Sequence, residues 1–573
     1  MTEERMEKEL TGYPSIDKPW LKYYDKWPED IVYLKKTLYQ FVWDNNKDYL
    51  DDIVFLYFDK KINYRTFFEN VDKVAKALVA SGVKAGDIVT IMSMHTPETI
   101  YTIYGLNYIG AVANLVYPSL SAKELSQTIE KTSSRMLFIL DGVLQKNPNV
   151  LEQVKDPVII LPVDGSMPGL LRLRYGLKNK TNKVEGSYSF KDFLARGKAI
   201  GKVDVTSDSE AMAVIVYTSG TTGEPKGVCL SNDNLNALAT QDYNGVMEFE
   251  RQKNCLFILP PFIGFGITQL HILASAGICL ILQIALESDL IIEKLFEYQP
   301  YVFMTGPALT SSFVAHEAKD LSALKYFIGG GGSISNEQQD AIDKKLIECN
   351  SKACYSNGYG MTEAASLLCA SANTISKKGS VGIPFIGTNI KVIHQETGCE
   401  QRIGEVGELW FSTPNLMQRY LNCEFDTDEV IKKDDSGTRW LRTGDLGYVD
   451  EDGFVFIKGR LKRIFITKGK DDMVYKLFPQ HIEETLLKMQ EVLECGVIVR
   501  EDAVRMNIAI AYVTLKGNEA IDKSKETEKI MSFAKAELAD HMVPVAIHII
   551  EKMPTTPSGK IDYRALEELQ EKE

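Results

Sequence analysis

Residues 217–228 have the sequence YTSGTTGEPKGV and directly follow the apolar run AMAVIV at 211–216. Dense serine, threonine and glycine allow backbone N–H groups and hydroxyls to converge on an anion, and Lys226 adds a positive charge. The spacing differs from the GxxxxGK[ST] phosphate loop, because no serine or threonine follows Lys226. A flexible linker of this composition would have no reason to follow a buried strand. The stretch therefore predicts a phosphate-binding loop at the end of a strand.

Short β-rich runs alternate with runs of helical period around this loop, which predicts an α/β fold with largely buried strands. Residues 63–140 show the pattern well. The apolar face of one helix consists of residues spaced by three or four: Phe67, Val71, Val74 and Leu78. Residues 86–94 and 135–140 are typical of buried strands, and Ser121 with Glu124 predicts a capping box. Residues 164–204 are poor in strand signal and predict an inserted segment on the surface.

The 573 residues exceed what one hydrophobic core holds, since single cores stop growing near ~250–300 residues. The basic stretch at 459–463 is the best candidate boundary. We expect a large domain at 1–459, with β-sheets flanked by helices, and a small α+β domain at 460–573. A helix beginning at Pro479 supports the second domain, because the fixed φ of proline suits a first helical turn.

Charge and composition exclude several classes of function. Lys and Arg total 65 against 78 Asp and Glu, which gives a formal charge of −13. Such a surface disfavours nucleic acid and anionic lipid as partners through bulk charge, so an anionic ligand needs a local site. The nine cysteines are scattered without CxxC spacing, which indicates neither a disulfide framework nor structural zinc. An acidic N-terminus and the lack of a ~20-residue apolar run predict a cytoplasmic protein.

Three further motifs follow the loop in order. They are NGYGMTEA at 357–364, Thr443-Gly444-Asp445, and PTTPSGKID at 554–562. Each alone would be weak, because such short motifs also occur in ordinary turns. Together with the loop they resemble the adenylate-forming superfamily of acyl- and aryl-CoA ligases, luciferases and nonribosomal adenylation domains. The resemblance covers approximately residues 50 to 570.

The resemblance implies an ATP site. Lys560, Lys226 and Thr362 would be catalytic, and Glu363 would bind Mg²⁺. Tyr359 would lie against adenine. The nucleotide-binding residues would be Thr218, Ser219, Gly220, Thr221, Thr222, Gly223, Lys226, Gly331, Gly332, Asn357, Gly358, Tyr359, Gly360, Thr362, Asp445, Arg460 and Lys560.

The resemblance also implies an apolar pocket that binds the carboxylic acid. Its residues would be Phe262, Ile263, Gly264, Phe265, Gly330 and Ala364. None is charged, and a buried ammonium without a partner would be expensive, so an amino acid is disfavoured as substrate. We expect a carboxylic acid with an apolar tail, with a fatty acid preferred over an aryl acid. The sequence departs from the family at Ile263 and Asn232, where histidines are frequent.

The small domain of such enzymes rotates to admit a thiol. Lys462 would be the hinge, and Lys468 and Gly469 would lie at the thiol entrance, beside a loop before Pro479 that is longer than usual. The expected enzyme is an AMP-forming acid–thiol ligase that uses ATP, Mg²⁺ and coenzyme A. One alternative acceptor is the phosphopantetheine of a separate acyl carrier protein. An alternative of another class is an inactive acyl- or nucleotide-binding regulatory protein.

Overall fold

The computed structural model describes residues 10–178, 186–218, 225–245, 247–285, 287–330, 334, 336–373, 375–463, 465–468, 473–502, 504–516, 522–556 and 560–571. The helices in this part of the chain are α1 (Pro14–Asp17), α2 (Leu38–Asn46), α3 (Tyr64–Ala80), α4 (Pro97–Tyr108), α5 (Ala122–Thr132), α6 (Asp141–Lys146), α7 (Gly169–Lys178), α8 (Phe190–Arg196), α9 (Asn232–Tyr243), α10 (Gly264–Ser275), α11 (Ser288–Tyr298), α12 (Pro307–Ala315), α13 (Asn336–Glu348), α14 (Glu424–Val430), α15 (Pro479–Leu486), α16 (Lys523–Glu537) and α17 (Tyr563–Glu571). Short 3₁₀ helices lie at Pro19–Tyr23, Pro28–Asp30, Gly197–Ala199, Thr362–Ala364 and Leu461–Arg463.

The strands in the same residues are β1 (Ile53–Tyr57), β2 (Lys60–Asn63), β3 (Ile88–Met92), β4 (Val112–Leu115), β5 (Leu137–Leu140), β6 (Val158–Leu161), β7 (Ser187–Ser189), β8 (Met212–Tyr217), β9 (Gly227–Ser231), β10 (Asn254–Phe257), β11 (Cys279–Leu282), β12 (Val302–Thr305), β13 (Tyr326–Gly329), β14 (Tyr355–Tyr359), β15 (Cys369–Ala370), β16 (Ile383–Pro384), β17 (Asn389–Ile393), β18 (Gly407–Ser412), β19 (Arg419–Tyr420), β20 (Ile431–Lys433), β21 (Arg439–Val449), β22 (Val455–Arg460), β23 (Phe465–Lys468), β24 (Val474–Leu477), β25 (Val492–Asp502), β26 (Met506–Leu515) and β27 (Ala546–Ile549).

Two large mixed sheets form the first part of the molecule. Within the described residues one has the order β16-β15-β14-β13-β12-β10-β11-β1-β2, and the other has the order β19-β9-β8-β4-β3-β5-β6-β7. Their central strands are parallel, for example β12 with β13 and β13 with β14. Ligands of such sheets bind beyond the carboxyl ends of parallel strands. The loop after β8 and the residues that follow β13 and β14 occupy such ends.

The local predictions around residues 63–140 agree with the structure. Phe67, Val71, Val74 and Leu78 are fully buried on one face of α3. Ser121 and Glu124 form the capping box that begins α5, with the Glu124 carboxylate accepting a 2.8 Å bond from the Ser121 N–H. The sequence rule held because it describes contacts within one turn of helix.

The segment at 164–204 is only partly a surface excursion. Its second half adds β7 to the edge of a large sheet, parallel to β6. Phe190 and Phe193 of α8 are buried, and Phe193 meets Phe138 with ring centroids 5.2 Å apart. A three-residue strand carries too short a pattern to be detected in sequence, and its aromatic anchors find their partner 55 residues away.

Two of the remaining sheets pack in different hydrophobic cores. The sheet β17-β18-β21-β20, which β22 joins beside β21, packs with the large core that ends at Val455. The sheet β25-β26-β27 belongs to separate clusters that begin at Leu477. The predicted boundary between 459 and 460 falls between these cores and stays a prediction. Pairing of Arg460 with Asp445 places Arg460 itself in the β21–β22 hairpin.

All nine cysteines are free thiols. Over the described residues, no helix combines the length and apolarity that crossing a bilayer requires.

Candidate active site

The predicted phosphate loop connects two antiparallel strands, β8 and β9. Its ends are held together by two hydrogen bonds: the Thr218 N–H donates to the Lys226 carbonyl at 3.0 Å, and the Lys226 N–H donates to Thr218 Oγ1 at 3.2 Å. Ser219, Gly220, Thr221, Thr222 and Gly223 lie outside the described residues. The strand pairing therefore brings Thr218 and Lys226 together at the base of the loop.

The Lys226 ammonium is engaged by a neighbouring carboxylate. Its Nζ lies 2.8 Å from Oδ2 of Asp426, and 5.2 Å from the ring centroid of Tyr420. The same Asp426 oxygen accepts from Cys423 Sγ at 2.8 Å. Residues 419–426 reach this position because β19 pairs antiparallel with β9, directly beside the loop.

The GYGMTE segment turns sharply after β14. A Cβ on Gly360 would lie 2.1 Å from the Ser366 carbonyl oxygen, so only glycine fits there. The turn leads into the 3₁₀ helix that carries Thr362, Glu363 and Ala364. A Cβ on Gly264, at the start of α10, would lie 3.4 Å from Thr362 Oγ1 and 2.5 Å from Ser366 Oγ. The predicted acid pocket and the predicted catalytic threonine are thus in contact.

Glu363 is buried and hydrogen-bonded. The Tyr420 hydroxyl donates to its Oε1 at 2.6 Å, and its backbone carbonyl accepts from the Met417 N–H at 2.7 Å. Burial and the Glu363 charge both raise the pKa of Tyr420, so this phenol stays protonated and remains a donor. Among the described residues no group of three His, Cys, Asp or Glu side chains could hold a metal by itself.

Asp445 is the centre of a second polar cluster. It is 4% exposed on β21, where Tyr359 donates its hydroxyl to Oδ2 at 2.6 Å and Arg460 donates Nε to Oδ1 at 2.9 Å. Its backbone N–H is held by Thr443 Oγ1 at 3.0 Å. The carboxylate raises the pKa of Arg460, which keeps the guanidinium charged. Of the three residues predicted to bind the nucleoside, Tyr359 and Arg460 therefore share the carboxylate of Asp445.

Lys560 completes the charged surface. Desolvation of the Lys560 ammonium by surrounding protein atoms lowers its pKa, and repulsion from Arg460 lowers it further. Attraction to Glu363 and Asp445 partly opposes these effects. The Lys560 ammonium is therefore within electrostatic range of Arg460, Glu363 and Asp445. The local turn of this C-terminal segment is held by the Thr556 N–H, which donates to the Lys560 carbonyl at 2.7 Å.

The other acid-pocket residues surround α10 and the end of β13. Phe262 is buried, with its ring centroid 5.0 Å from that of Tyr117, and Ala364 is fully buried. Ile263 caps α10, and Phe265 and Gly330 are close neighbours: a Cβ on Gly330 would lie 4.0 Å from Phe265 Cε1. Gly331 and Gly332 lie outside the described residues.

The predicted hinge coincides with a change of partners along the chain. Arg460 binds Asp445, whereas Arg463 binds the Glu483 carboxylate at 2.9 Å and the Val497 carbonyl at 2.8 Å. Lys462 lies between them in the 3₁₀ helix Leu461–Arg463; its side chain is outside the described residues.

The predicted thiol entrance is described only in part. The Lys468 N–H donates to the Arg505 carbonyl at 2.8 Å, at the end of β23. Gly469 lies outside the described residues.

Sequence reasoning missed Tyr420 and Asp426. Both belong to the stretch 419–430, RYLNCEFDTDEV, which carries no motif of phosphate chemistry. Their position follows from the pairing of β19 with β9, a contact between segments about 190 residues apart. The acidic residues that begin at Glu424, four positions after Tyr420, were the one available signal.

Comparisons with known proteins define the family. The model of the AMP-binding enzyme family matches residues 42–421, and that of the AMP-binding enzyme C-terminal domain matches residues 481–560. The chain belongs to the AMP-binding enzyme family, as the resemblance predicted.

Curated relatives cover nearly the whole chain. The long-chain-fatty-acid–CoA ligase of Bacillus subtilis (strain 168) is 28% identical over 96% of this chain and 97% of its own length. The probable 4-coumarate–CoA ligase 2 of Dictyostelium discoideum is 28% identical over 87% of this chain and 89% of its own length. These relatives confirm the predicted enzyme class, an AMP-forming acid–thiol ligase.

Solved structures confirm the fold. The anthranilate CoA ligase AuaEII in complex with anthranoyl-AMP has a TM-score of 0.80 at 18% identity, covering 95% of this chain and 99% of that one. ATP-bound MatB from Rhodopseudomonas palustris has a TM-score of 0.79 at 22% identity, covering 94% and 99%. The expected α/β architecture, with a large domain and a smaller C-terminal domain, is the architecture of these enzymes.

Proposed function

We propose that this protein activates an apolar carboxylic acid with ATP and transfers the acyl group to the thiol of coenzyme A, releasing pyrophosphate and AMP. The observation that carries the proposal is the polar cluster in which Tyr359 and Arg460 both donate to the buried Asp445 carboxylate, with Lys560 of the C-terminal segment within electrostatic range of Arg460, Glu363 and Asp445. Such a cluster offers positive charge, a metal ligand and a ribose acceptor in one place.

The chemistry explains why these groups are needed. A carboxylate is a poor acyl donor, because its charge repels a thiolate and it has no leaving group. In the first half-reaction a carboxylate oxygen attacks the α-phosphorus of ATP, the new O–P bond forms, and the bond to pyrophosphate breaks. Lys560 would neutralise the point where the two anions meet, and Lys226 with the loop N–H groups would hold the departing phosphates.

Asp445 would orient the nucleoside. Its buried carboxylate can accept both ribose hydroxyls, and the hydrogen bond from Arg460 Nε holds it in place. Tyr359 presents its ring beside that carboxylate, where it would support the adenine.

The residues present also fit a magnesium ion. Mg²⁺ is usually held by one or two carboxylates together with phosphates and water, and Glu363 supplies one buried carboxylate beside the loop. Bound there, the ion would offset the negative charge of the phosphates.

The second half-reaction needs Lys560 to leave. The thiol attacks the acyl carbon, the thioester bond forms, and AMP departs with the electrons of the acyl–phosphate bond. Rotation about the chain between Arg460 and Arg463 would withdraw Lys560 and bring the Lys468 and Gly469 region to the site. The separate partners of Arg460 and Arg463 support a hinge at Lys462.

An apolar, fatty acid is the preferred substrate. The pocket residues are uncharged, and Phe265 and Gly330 lie close together in it. The fatty-acid-activating relative from Bacillus subtilis favours this choice, while the coumarate-activating relatives keep an aryl acid as the competing substrate.

Two other functions remain as alternatives. The acyl group could pass to a separate acyl carrier protein, with basic residues around 462–470 as the contact surface. An inactive binding protein would retain the site without turnover; the presence of Lys226, Glu363 and Lys560 weighs against it.

The test is ATP–pyrophosphate exchange with a panel of fatty, aryl and amino acids. We expect exchange with fatty acids, weaker exchange with aryl acids and none with amino acids. If none of the acids on the panel supports exchange, the enzymatic proposal is overturned. The accepted acid is then offered with coenzyme A and with an acyl carrier protein, and a thioester formed only on the carrier would overturn the choice of acceptor.

A further inference from the structure

Helix α7 presents a stripe of leucines to solvent. Leu170, Leu173 and Leu177 are 69%, 64% and 70% exposed, and their spacing puts them on one face of the helix. Single exposed leucines are common on protein surfaces, but an aligned stripe marks a surface that meets an apolar environment.

The opposite side of α7 attaches it to the protein. Tyr175 packs against the main core, and Arg172 Nε lies 3.7 Å from Oδ2 of Asp164, just before the helix. The helix stands in the connection from β6 to the edge strand β7 of a large sheet. Its outward leucines are therefore the face that its anchoring leaves free.

The charge of this segment is the reverse of that of the whole chain. Residues 169–184 include Arg172, Arg174, Lys178, Lys180 and Lys183 and no acidic residue, although the chain carries a net −13. Leucines flanked by arginine and lysine suit a surface that is apolar inside and negatively charged outside.

We propose that α7 is an interfacial helix that docks the protein on anionic bilayers. Leu170, Leu173 and Leu177 enter the boundary between headgroups and acyl chains, and Arg174 of the same helix lies among lipid phosphates. The ten residues of α7 span about 15 Å, too short to cross a bilayer, so the helix lies on the surface. This inference does not depend on the substrate or acceptor proposed above.

A protein partner fits the stripe less well. Energetically dominant interface residues are enriched in tryptophan, tyrosine and arginine and sit in packed pockets, whereas leucine is under-represented among them. The three leucines protrude from a helix rather than line a groove, and their side chains have no polar group to set the register of a complex. A bilayer requires neither a groove on the protein nor polar groups that set a register.

The experiment is flotation of the full chain with vesicles. We expect it to float with phosphatidylcholine vesicles containing about one quarter phosphatidylglycerol, to float less with phosphatidylcholine alone, and to be released by salt. The triple variant Leu170→Asn, Leu173→Asn, Leu177→Asn should lose about tenfold or more in vesicle partitioning, because affinity scales with buried apolar area. Arg174→Gln with Lys178→Gln should weaken mainly the preference for anionic vesicles.

A matched control carries three exposed apolar residues from elsewhere: Ile347→Asn, Val406→Asn and Val504→Asn. It should float like the unaltered chain, and thermal unfolding should show that both triple variants are folded. The proposal is overturned if the unaltered chain stays with the dense fraction at low salt, or if both triple variants lose partitioning equally. Sedimentation measures the oligomeric state of the same proteins. If the unaltered chain binds no vesicles and the leucine variant changes oligomeric state, the leucines serve self-association and the proposal of membrane docking is overturned.

Discussion

The hydroxyl of Tyr359 donates a 2.6 Å hydrogen bond to Oδ2 of Asp445, a residue 86 positions further along the chain. The other carboxylate oxygen accepts from Arg460, so both oxygens are already engaged where the ribose is expected to bind. ATP must therefore share or displace these donors.

Replacing the carboxylate should weaken nucleotide binding. Asp445→Asn keeps the size of the side chain but loses a charge-assisted acceptor, so we expect the KM for ATP to rise about 10- to 100-fold. Steady-state kinetics at saturating acid measures this. Asp452→Asn, an exposed position beyond the same β-strand, should leave the KM for ATP unchanged, and an equal rise there would contradict a local role.

Lys560→Ala should separate the two half-reactions. Loss of the positive charge between the two anions should reduce adenylation about 100-fold or more, while thioester formation from supplied acyl-adenylate stays largely intact. Pyrophosphate exchange and single-turnover thioester formation measure the two steps. Lys552→Ala, an exposed lysine of the same region, serves as the control. An equal fall in both steps in a folded variant would rule out the rotation.

The pH profile should report the same lysine. Desolvation and repulsion from Arg460 lower the pKa of Lys560 in the chain without ligands, so the ammonium loses its proton at a pH below its ordinary pKa of 10.5. Only the protonated form bridges two anions, so apparent adenylation at low ATP should decline as pH rises through this lowered pKa. Thioester formation from supplied acyl-adenylate should lack this decline. Lys560→Arg should retain activity at higher pH than the unaltered enzyme, since arginine stays charged.

The Lys226–Asp426 ion pair predicts competition with ATP. Because Lys226 Nζ lies 2.8 Å from Asp426, phosphate must compete with a carboxylate already in place. Partly exposed pairs are worth at most about 1 kcal/mol, so Asp426→Asn should tighten ATP binding by no more than about fivefold. Calorimetric titration with a non-hydrolysable ATP analogue measures it. Weaker binding would mean that Asp426 holds Lys226 in its productive position.

Asp242 should make stability depend on pH. Burial raises the pKa of this carboxyl to about 7, and neither oxygen has a hydrogen-bond partner among the described residues. The folded chain thus binds its proton more tightly than the unfolded chain, so stability falls as pH rises from about 4 to about 7 and the loss is complete above that.

Asp242→Asn removes this ionisation. Near pH 8 its melting temperature should exceed that of the unaltered chain, because its free energy of unfolding is higher by at most about 4 kcal/mol. Near pH 4 the two melting temperatures should differ little. A pH-independent difference between the two proteins would show that ionisation of Asp242 is not the cause.

Several local features of the fold were predictable because their signals lie within a few residues. Glycine at 360 is required by a turn that leaves no room for a Cβ, and the capping box at Ser121 lies within four residues. Such features depend on backbone conformations that neighbouring residues dictate. Resemblance to a family then joined motifs that are far apart in the chain.

Other features have no local signature. Tyr420 meets Glu363, and Asp426 meets Lys226, only because β19 pairs with β9. The leucines of α7 look like an ordinary helical repeat in sequence, and only their exposure reveals that the repeat faces outward.

By itself, the sequence determined the class of enzyme, the alternation of helices and strands, and the residues that we expect to bind phosphate, ribose and metal. The tertiary structure alone decided which of those residues share a partner, as Tyr359 and Arg460 share Asp445, and where the chain changes from one core to the next. The physical reason is range. Propensity and turn chemistry act over a few residues, whereas burial, charge pairing and pKa depend on atoms that only folding brings within a few ångströms.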